Sequence, residues 1–313
     1  MPSSNCAHPA TTSVRRVVVC LVGVLLVAMA AAGLQSERRL SGRSGPLEAA
    51  ALRVAPHEVS RERGRHLVES VVQCRTCHGP DLGGALVADD PWVGRLWAPN
   101  LTTGRGGVGR TALLLGMRHG VNRRGQTLWA MPSRPLARLP DADLASIMAY
   151  LESLPPVDRM VPGRRAGPLT RLYVLLSPAL DLLSARAIAQ PTGAARAPRA
   201  EPLATRGARL AELASCTLCH HADLRGGLHA LALPGEPPPP DLTGTGRLAS
   251  WSRADFARAL RTGRTPDGRV LDARFMPWPG YGGLSDAEVG AIWELLVTRG
   301  AGSARVPLQA SRR

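Results

Sequence analysis

The chain has 313 residues and a formal net charge of +15, and all 39 of its basic residues are Arg. Such an excess favours the acidic face of a partner protein or anionic lipid headgroups as neighbours. It does not indicate nucleic acid: the Arg residues are scattered, Phe, Trp and Tyr make up only 4% of the chain, and no base-stacking motif occurs.

Arg15 and Arg16 precede an apolar run, Val17–Leu34, of 18 residues. A positive flank ahead of such a run predicts that everything after it is exported. Two readings compete for residues 1–36: a retained membrane anchor, favoured because the run continues past Ala28-Met29-Ala30, and a signal peptide cleaved at that small-residue site. Cys20 lies too early in the run for lipid attachment. Residues 37–56 read as a linker, and from about Arg61 a helix leads into Cys74-Arg75-Thr76-Cys77-His78.

This Cys-x-x-Cys-His pentapeptide is the attachment signal for c-type haem. Its spacing lets both thiols reach one porphyrin edge while the adjacent His meets the iron. A structural zinc site is the rival reading, but it needs further Cys or His ligands at short spacing and none lies nearby. A second copy, Cys216-Thr217-Leu218-Cys219-His220, sits in a segment that repeats the surroundings of the first. Arg63-Gly64 answers Arg206-Gly207, and Asp81-Leu82 answers Asp223-Leu224. Pro99-Asn100-Leu101-Thr102 answers Pro240-Asp241-Leu242-Thr243. Arg118-His119-Gly120 answers Arg261-Thr262-Gly263, and Met131-Pro132 answers Met276-Pro277. The offset is 142 residues at the motif histidines and 145 at these methionines, a period that indicates a duplicated domain rather than a solenoid.

Axial ligation decides what such a haem does. A Met thioether opposite the His raises the potential and closes the iron to small ligands. Met276 is the only Met after His220, whereas Met117, Met131, Met148 and Met160 compete in the first half. Alignment of the repeats selects Met131, and Met148 reads as core. His119, His221 and His229 have no counterpart in the other copy and are expected to be surface or supporting residues.

Two helices close the halves. After Pro140, Leu144, Ile147, Met148 and Leu151 form one helical face; Ser285-Asp286-Ala287-Glu288 forms a capping box before the stripe Val289, Ile292, Trp293 and Leu296. Gly- and Pro-rich loops with no alternating strand pattern lie between, which predicts an all-α fold. Tandem domains are expected at 57–157 and 203–299. Between them, 158–202 is a linker with a helix over Leu169–Ile188 packed between the domains and a flexible stretch from Gln190 to Pro202; 300–313 is a tail. Domains this small need the haem as part of their core, so the apo-protein is expected to be unfolded or molten.

These residues resemble the bacterial multi-haem cytochrome c family that includes the cytochrome subunit of quinoprotein alcohol dehydrogenases. The resemblance covers about 57–157 and 203–299. It implies class I cytochrome c domains, two covalently bound haem c groups held by Cys74, Cys77, Cys216 and Cys219, and iron ligation by His78 with Met131 and His220 with Met276. It further implies an electron carrier without substrate chemistry, with a dehydrogenase as donor and an oxidase or another cytochrome as acceptor. The expected location is the periplasm, with the N-terminal helix in the inner membrane if it is uncleaved. That dehydrogenase subunit usually carries three haem motifs and this chain has two. The first half also lacks counterparts to Trp251, Trp278 and Tyr281; Trp129, beside Met131, is the expected substitute. A di-haem peroxidase is the competing function, and it would need one iron with an open coordination position.

Overall fold

A computed structural model describes residues 10–42, 55–176, 188, 201–228 and 237–300. His229, the tail beyond 300 and most of the stretch 190–202 lie outside the described residues. The first described element is α1, Ala10–Leu40, whose side chains are exposed from Arg15 to Ala31. This helix is long and apolar enough to cross a membrane.

The first half follows with α2, Arg61–His66, which continues as a π-helical stretch over Leu67–Val71, then α3, Cys74–His78. Next come α4, Gly109–His119, the single turn α5, Ser133–Leu136, and α6, Asp141–Glu152. A linker helix, α7, Pro168–Leu176, precedes the second half. That half has α8, Leu203–Leu213, α9, Cys216–His220, α10, Arg253–Thr262, the turn α11, Trp278–Tyr281, and α12, Asp286–Gly300. The stripe Leu144, Ile147, Met148 and Leu151 is buried, as are Val289, Ile292 and Leu296. Ser285 and Glu288 make the capping box, with Glu288 N donating to Ser285 Oγ at 3.3 Å and Ser285 N donating to Glu288 Oε2 at 2.9 Å.

The Arg-Gly pairs have a packing role. In each half the helix before the haem motif crosses the final helix at a glycine. A Cβ on Gly64 would lie 1.9 Å from the Ser146 carbonyl oxygen, and one on Gly207 would lie 2.0 Å from that of Ala291. The Arg of each Arg-x-Gly segment then ties the loop to the start of the final helix. Arg118 donates to the Ala137 and Leu139 carbonyls, both at 2.7 Å, and pairs with Asp141. Arg261 donates to the Leu284 carbonyl at 3.1 Å and to Asp286 at 2.7 Å.

The fold departs from the sequence expectation in two places. A three-stranded antiparallel sheet is present: β1, Ala85–Asp90, pairs with β2, Gly94–Ala98, which pairs with β3, Arg165–Ala166. The chain is therefore mainly helical rather than purely so. Of the helix expected over Leu169–Ile188, the described part is α7, and this part does not pack between the halves. It packs on the end of α1, where Val174 and Leu40 bury each other with Ala166 and Trp129 alongside.

One apolar core runs through both halves, from Leu67, Val71 and Met148 to Leu213, Tyr281 and Leu296. Polar contacts reinforce the junction: His66 Nε2 lies 2.9 and 3.0 Å from the two Glu288 carboxylate oxygens, and Arg138 donates to Glu212 at 3.1 Å.

Candidate haem-binding site

Both pentapeptides form one short helical turn entered through a left-handed residue, Gln73 at φ 55° and Ser215 at φ 59°. Within each turn the two cysteines stand at i and i+3, on one side of the helix. His78 and His220 are buried. His78 Nδ1 lies 2.8 Å from the Pro99 carbonyl oxygen, and His220 Nδ1 lies 2.9 Å from that of Pro240. A carbonyl only accepts, so Nδ1 carries the hydrogen and Nε2 keeps its lone pair for a metal. Burial holds the His78 pKa below its ordinary value, keeping the ring neutral.

The repeated Pro-Asn/Asp-Leu-Thr segments hold that carbonyl in place. Leu101 N donates to Leu82 O at 2.8 Å and Leu242 N to Leu224 O at 2.9 Å. Thr102 N donates to Asn100 Oδ1 at 2.9 Å, and Thr243 N to Asp241 Oδ1 at 2.8 Å. Gly84 N and Gly226 N return to the carbonyls of His78 and His220, each at 3.0 Å.

Met131 and Met276 end their loops in the same local geometry. Pro132 has φ −76°, ψ 57° and Pro277 has φ −75°, ψ 52°. Ser133 N donates to Met131 O at 2.7 Å and Trp278 N to Met276 O at 2.6 Å, so each Met-Pro-X is an inverse γ-turn. Both methionines are half-buried against the core and line the same cavity as the motifs. Met117 also reaches this cavity, but from the buried face of α4. Leu260, which precedes Arg261 as Met117 precedes Arg118, is an apolar residue that also lines the cavity. Met148 is fully buried and Met160 is exposed at the surface.

The cavity measures about 1890 Å³ and is lined mainly by apolar atoms. Cys74, Cys77 and His78 face it from one half, and Cys216, Cys219 and His220 from the other. Burial pushes the Cys74 thiol up to about 12, with Cys77 adding to the shift; burial likewise pushes Cys216 up to about 12. Two further lining groups, Trp97 Nε1 and Ser133 Oγ, are buried without a hydrogen-bond partner among the described residues. Paired thiols, a histidine held through Nδ1 by a proline carbonyl, apolar walls and buried polar hydrogens suit a large flat apolar group with acceptor atoms at its edge. These residues fit haem.

Trp129 does line the cavity, and the Arg164 guanidinium stacks on it at 4.2 Å from the ring centroid. Arg164 also donates to Thr127 O at 2.6 Å and to Leu40 O at 3.1 Å, and burial pulls its pKa down to about 10. Trp251 and Tyr281 line the second side, with the Tyr281 hydroxyl donating to Ala214 O at 2.9 Å. Trp278 instead donates Nε1 to Leu271 O at 3.0 Å. His221 accompanies His220 at the cavity, whereas His119 does not line it. Trp97 carries no signal in the sequence, and Arg164, Arg171 and Tyr173, which fall in the linker between the halves, also wall the cavity. The adjacent arginines 164 and 165 were the one signal, too weak without the fold.

Residues 60–151, which hold the helical cradle and the first Cys-x-x-Cys-His turn, match the family described as cytochrome c oxidase, cbb3-type, subunit III. Two relatives narrow the setting. One of the subunits of the nicotinate dehydrogenase of Pseudomonas putida is 34% identical over 113 residues, covering 33% of this chain and 9% of that protein. The gluconate 2-dehydrogenase cytochrome c subunit of Pantoea cypripedii is 29% identical over 232 residues, covering 65% of this chain and 51% of that protein. The chain thus spans about half or less of the length of these relatives.

Proposed function

We propose that this chain is an exported two-haem c-type cytochrome that carries single electrons, built from two copies of one domain at 57–157 and 203–299. Cys74 with Cys77, and Cys216 with Cys219, would each attach one haem c; His78 with Met131, and His220 with Met276, would hold the irons. A haem so ligated supplies a one-electron iron couple closed to small ligands. The observation carrying the reading is the matched pair of Met-Pro γ-turns bordering a cavity that both motif histidines line, each histidine held by a proline carbonyl.

The chain's own groups do the rest. The Pro99 and Pro240 carbonyls fix the imidazoles, the γ-turns fix the methionines, and the apolar walls exclude water, which favours the less charged, reduced state. The chain carries out no substrate chemistry. The gluconate 2-dehydrogenase relative supports a place as the electron-accepting subunit of a dehydrogenase complex, passing electrons on to an oxidase or another cytochrome. Residues 1–36 remain as a membrane anchor, with both domains in the periplasm. A pyridine haemochrome assay on purified protein is expected to give two haems per chain and one in the Cys216→Ala/Cys219→Ala variant. One haem in the unaltered chain overturns the reading.

A further inference from the structure

The linker helix α7 is amphipathic in the sense opposite to that of a soluble surface helix. Val174 is buried, while Leu169, Leu172 and Leu176, at i, i+3 and i+7, share one outward face and are 54%, 50% and 72% exposed. The tip of the β1–β2 hairpin adds Trp92 and Val93, 66% and 45% exposed. The two pieces are stitched together: Leu169 N donates to Trp92 O at 2.9 Å, and Thr170 Oγ1 to Val93 O at 2.7 Å. Large apolar side chains gathered in this way mark a contact surface.

The position of this surface names its partner. Arg39 at the end of α1 donates to the Val174 and Leu175 carbonyls at 2.8 and 3.0 Å. Arg171 reaches back to Ser36 Oγ at 3.3 Å and to the Glu37 carboxylate at 2.8 Å. The apolar run of α1 ends at Leu34, and Ser36 is only about 3 Å further along the helix axis. The clamp therefore lies within the headgroup layer of any bilayer that α1 crosses. Trp at that depth and cations such as Arg38, Arg39 and Arg165 suit the interface and its anionic lipids.

We propose that α7 and the hairpin tip form a second, monotopic membrane contact. Leu169, Leu172, Leu176, Trp92 and Val93 sit at the headgroup–acyl boundary. The contact holds the first half, whose cavity wall includes Arg171 and Tyr173, at a fixed height above the bilayer. This rests on the reading of α1 as a retained anchor.

The test uses the full haem-loaded chain with Cys6 and Cys20 replaced by Ser, in phosphatidylcholine–phosphatidylglycerol vesicles. A spin label is placed at Leu172→Cys and, as a control, at Leu203→Cys, an exposed leucine of the second half. The label at 172 is expected to collide several-fold more with oxygen than with a water-soluble nickel chelate, and the label at 203 to show the reverse. Preference for the nickel chelate at 172, or protection from both reagents as under a protein cover, overturns the proposal. Alkaline carbonate extraction of the same vesicles tests the anchor separately. Retention in the pellet with a water-exposed 172 label rejects the second contact alone, and release into the supernatant rejects both.

Discussion

His221 occupies φ 61°, ψ 170°, where the first half has Gly79 at φ 83°, ψ 164°. Both residues reverse the chain directly after the motif histidine, so that the following Gly amide can return to that histidine's carbonyl. The conformation is natural for Gly and costs a residue with a Cβ about 1–3 kcal/mol. His221→Gly is therefore expected to stabilise the protein by about 1 kcal/mol, read as a higher urea midpoint. An unchanged or lower midpoint would mean that the bond between His221 Nε2 and Leu228 O, 3.1 Å, outweighs the strain. At this scale the sequence was informative about chemistry and silent about support. The pentapeptides and Met-Pro pairs could be read directly, because covalent spacing and repetition constrain them. Trp97 carries no pattern, since its role depends on a strand bringing it to the cavity.

The elements are held by close helix crossings, which is why a glycine stands at each of Gly64 and Gly207. An added methyl at either position collides with backbone, which cannot swing aside as a side chain would. Gly64→Ala and Gly207→Ala are each expected to cost about 3 kcal/mol, measured by denaturant unfolding of the haem-loaded protein. Retention of full stability would show that the helices separate freely. Helices α6 and α12 were legible from apolar spacing, acidic first turns and, for α12, its capping box. The sheet was not, for physical reasons. β1 reads Ala-Leu-Val-Ala-Asp-Asp with both faces largely in contact with solvent, so no alternation of period two appears, and β3 is only two residues long. The site of α7 was equally hidden, because its outward leucines read as a core-facing stripe.

In the whole molecule, the final helix of the second half caps itself and joins the first half with one carboxylate, that of Glu288. Burial alone would raise its pKa; hydrogen bonds from His66 and from Ser285 outweigh this and hold it below the ordinary Glu value. A carboxyl depressed in this way stabilises the folded state above its ordinary range, and the contribution is lost as pH falls through the folded value. The thermal midpoint is therefore expected to drop between about pH 6 and about pH 3, and to drop less in Glu288→Gln. Equal drops in the two proteins would mean that this carboxylate contributes nothing to the acid sensitivity.

The proposed carrier function stands or falls on two irons closed by Met131 and Met276, and carbon monoxide binding to the reduced protein decides whether they are. No carbon monoxide uptake is expected in the unaltered two-haem chain, and uptake by one haem per chain is expected in each of Met131→Ala and Met276→Ala. Uptake by the unaltered protein, or none by either variant, would contradict the assignment.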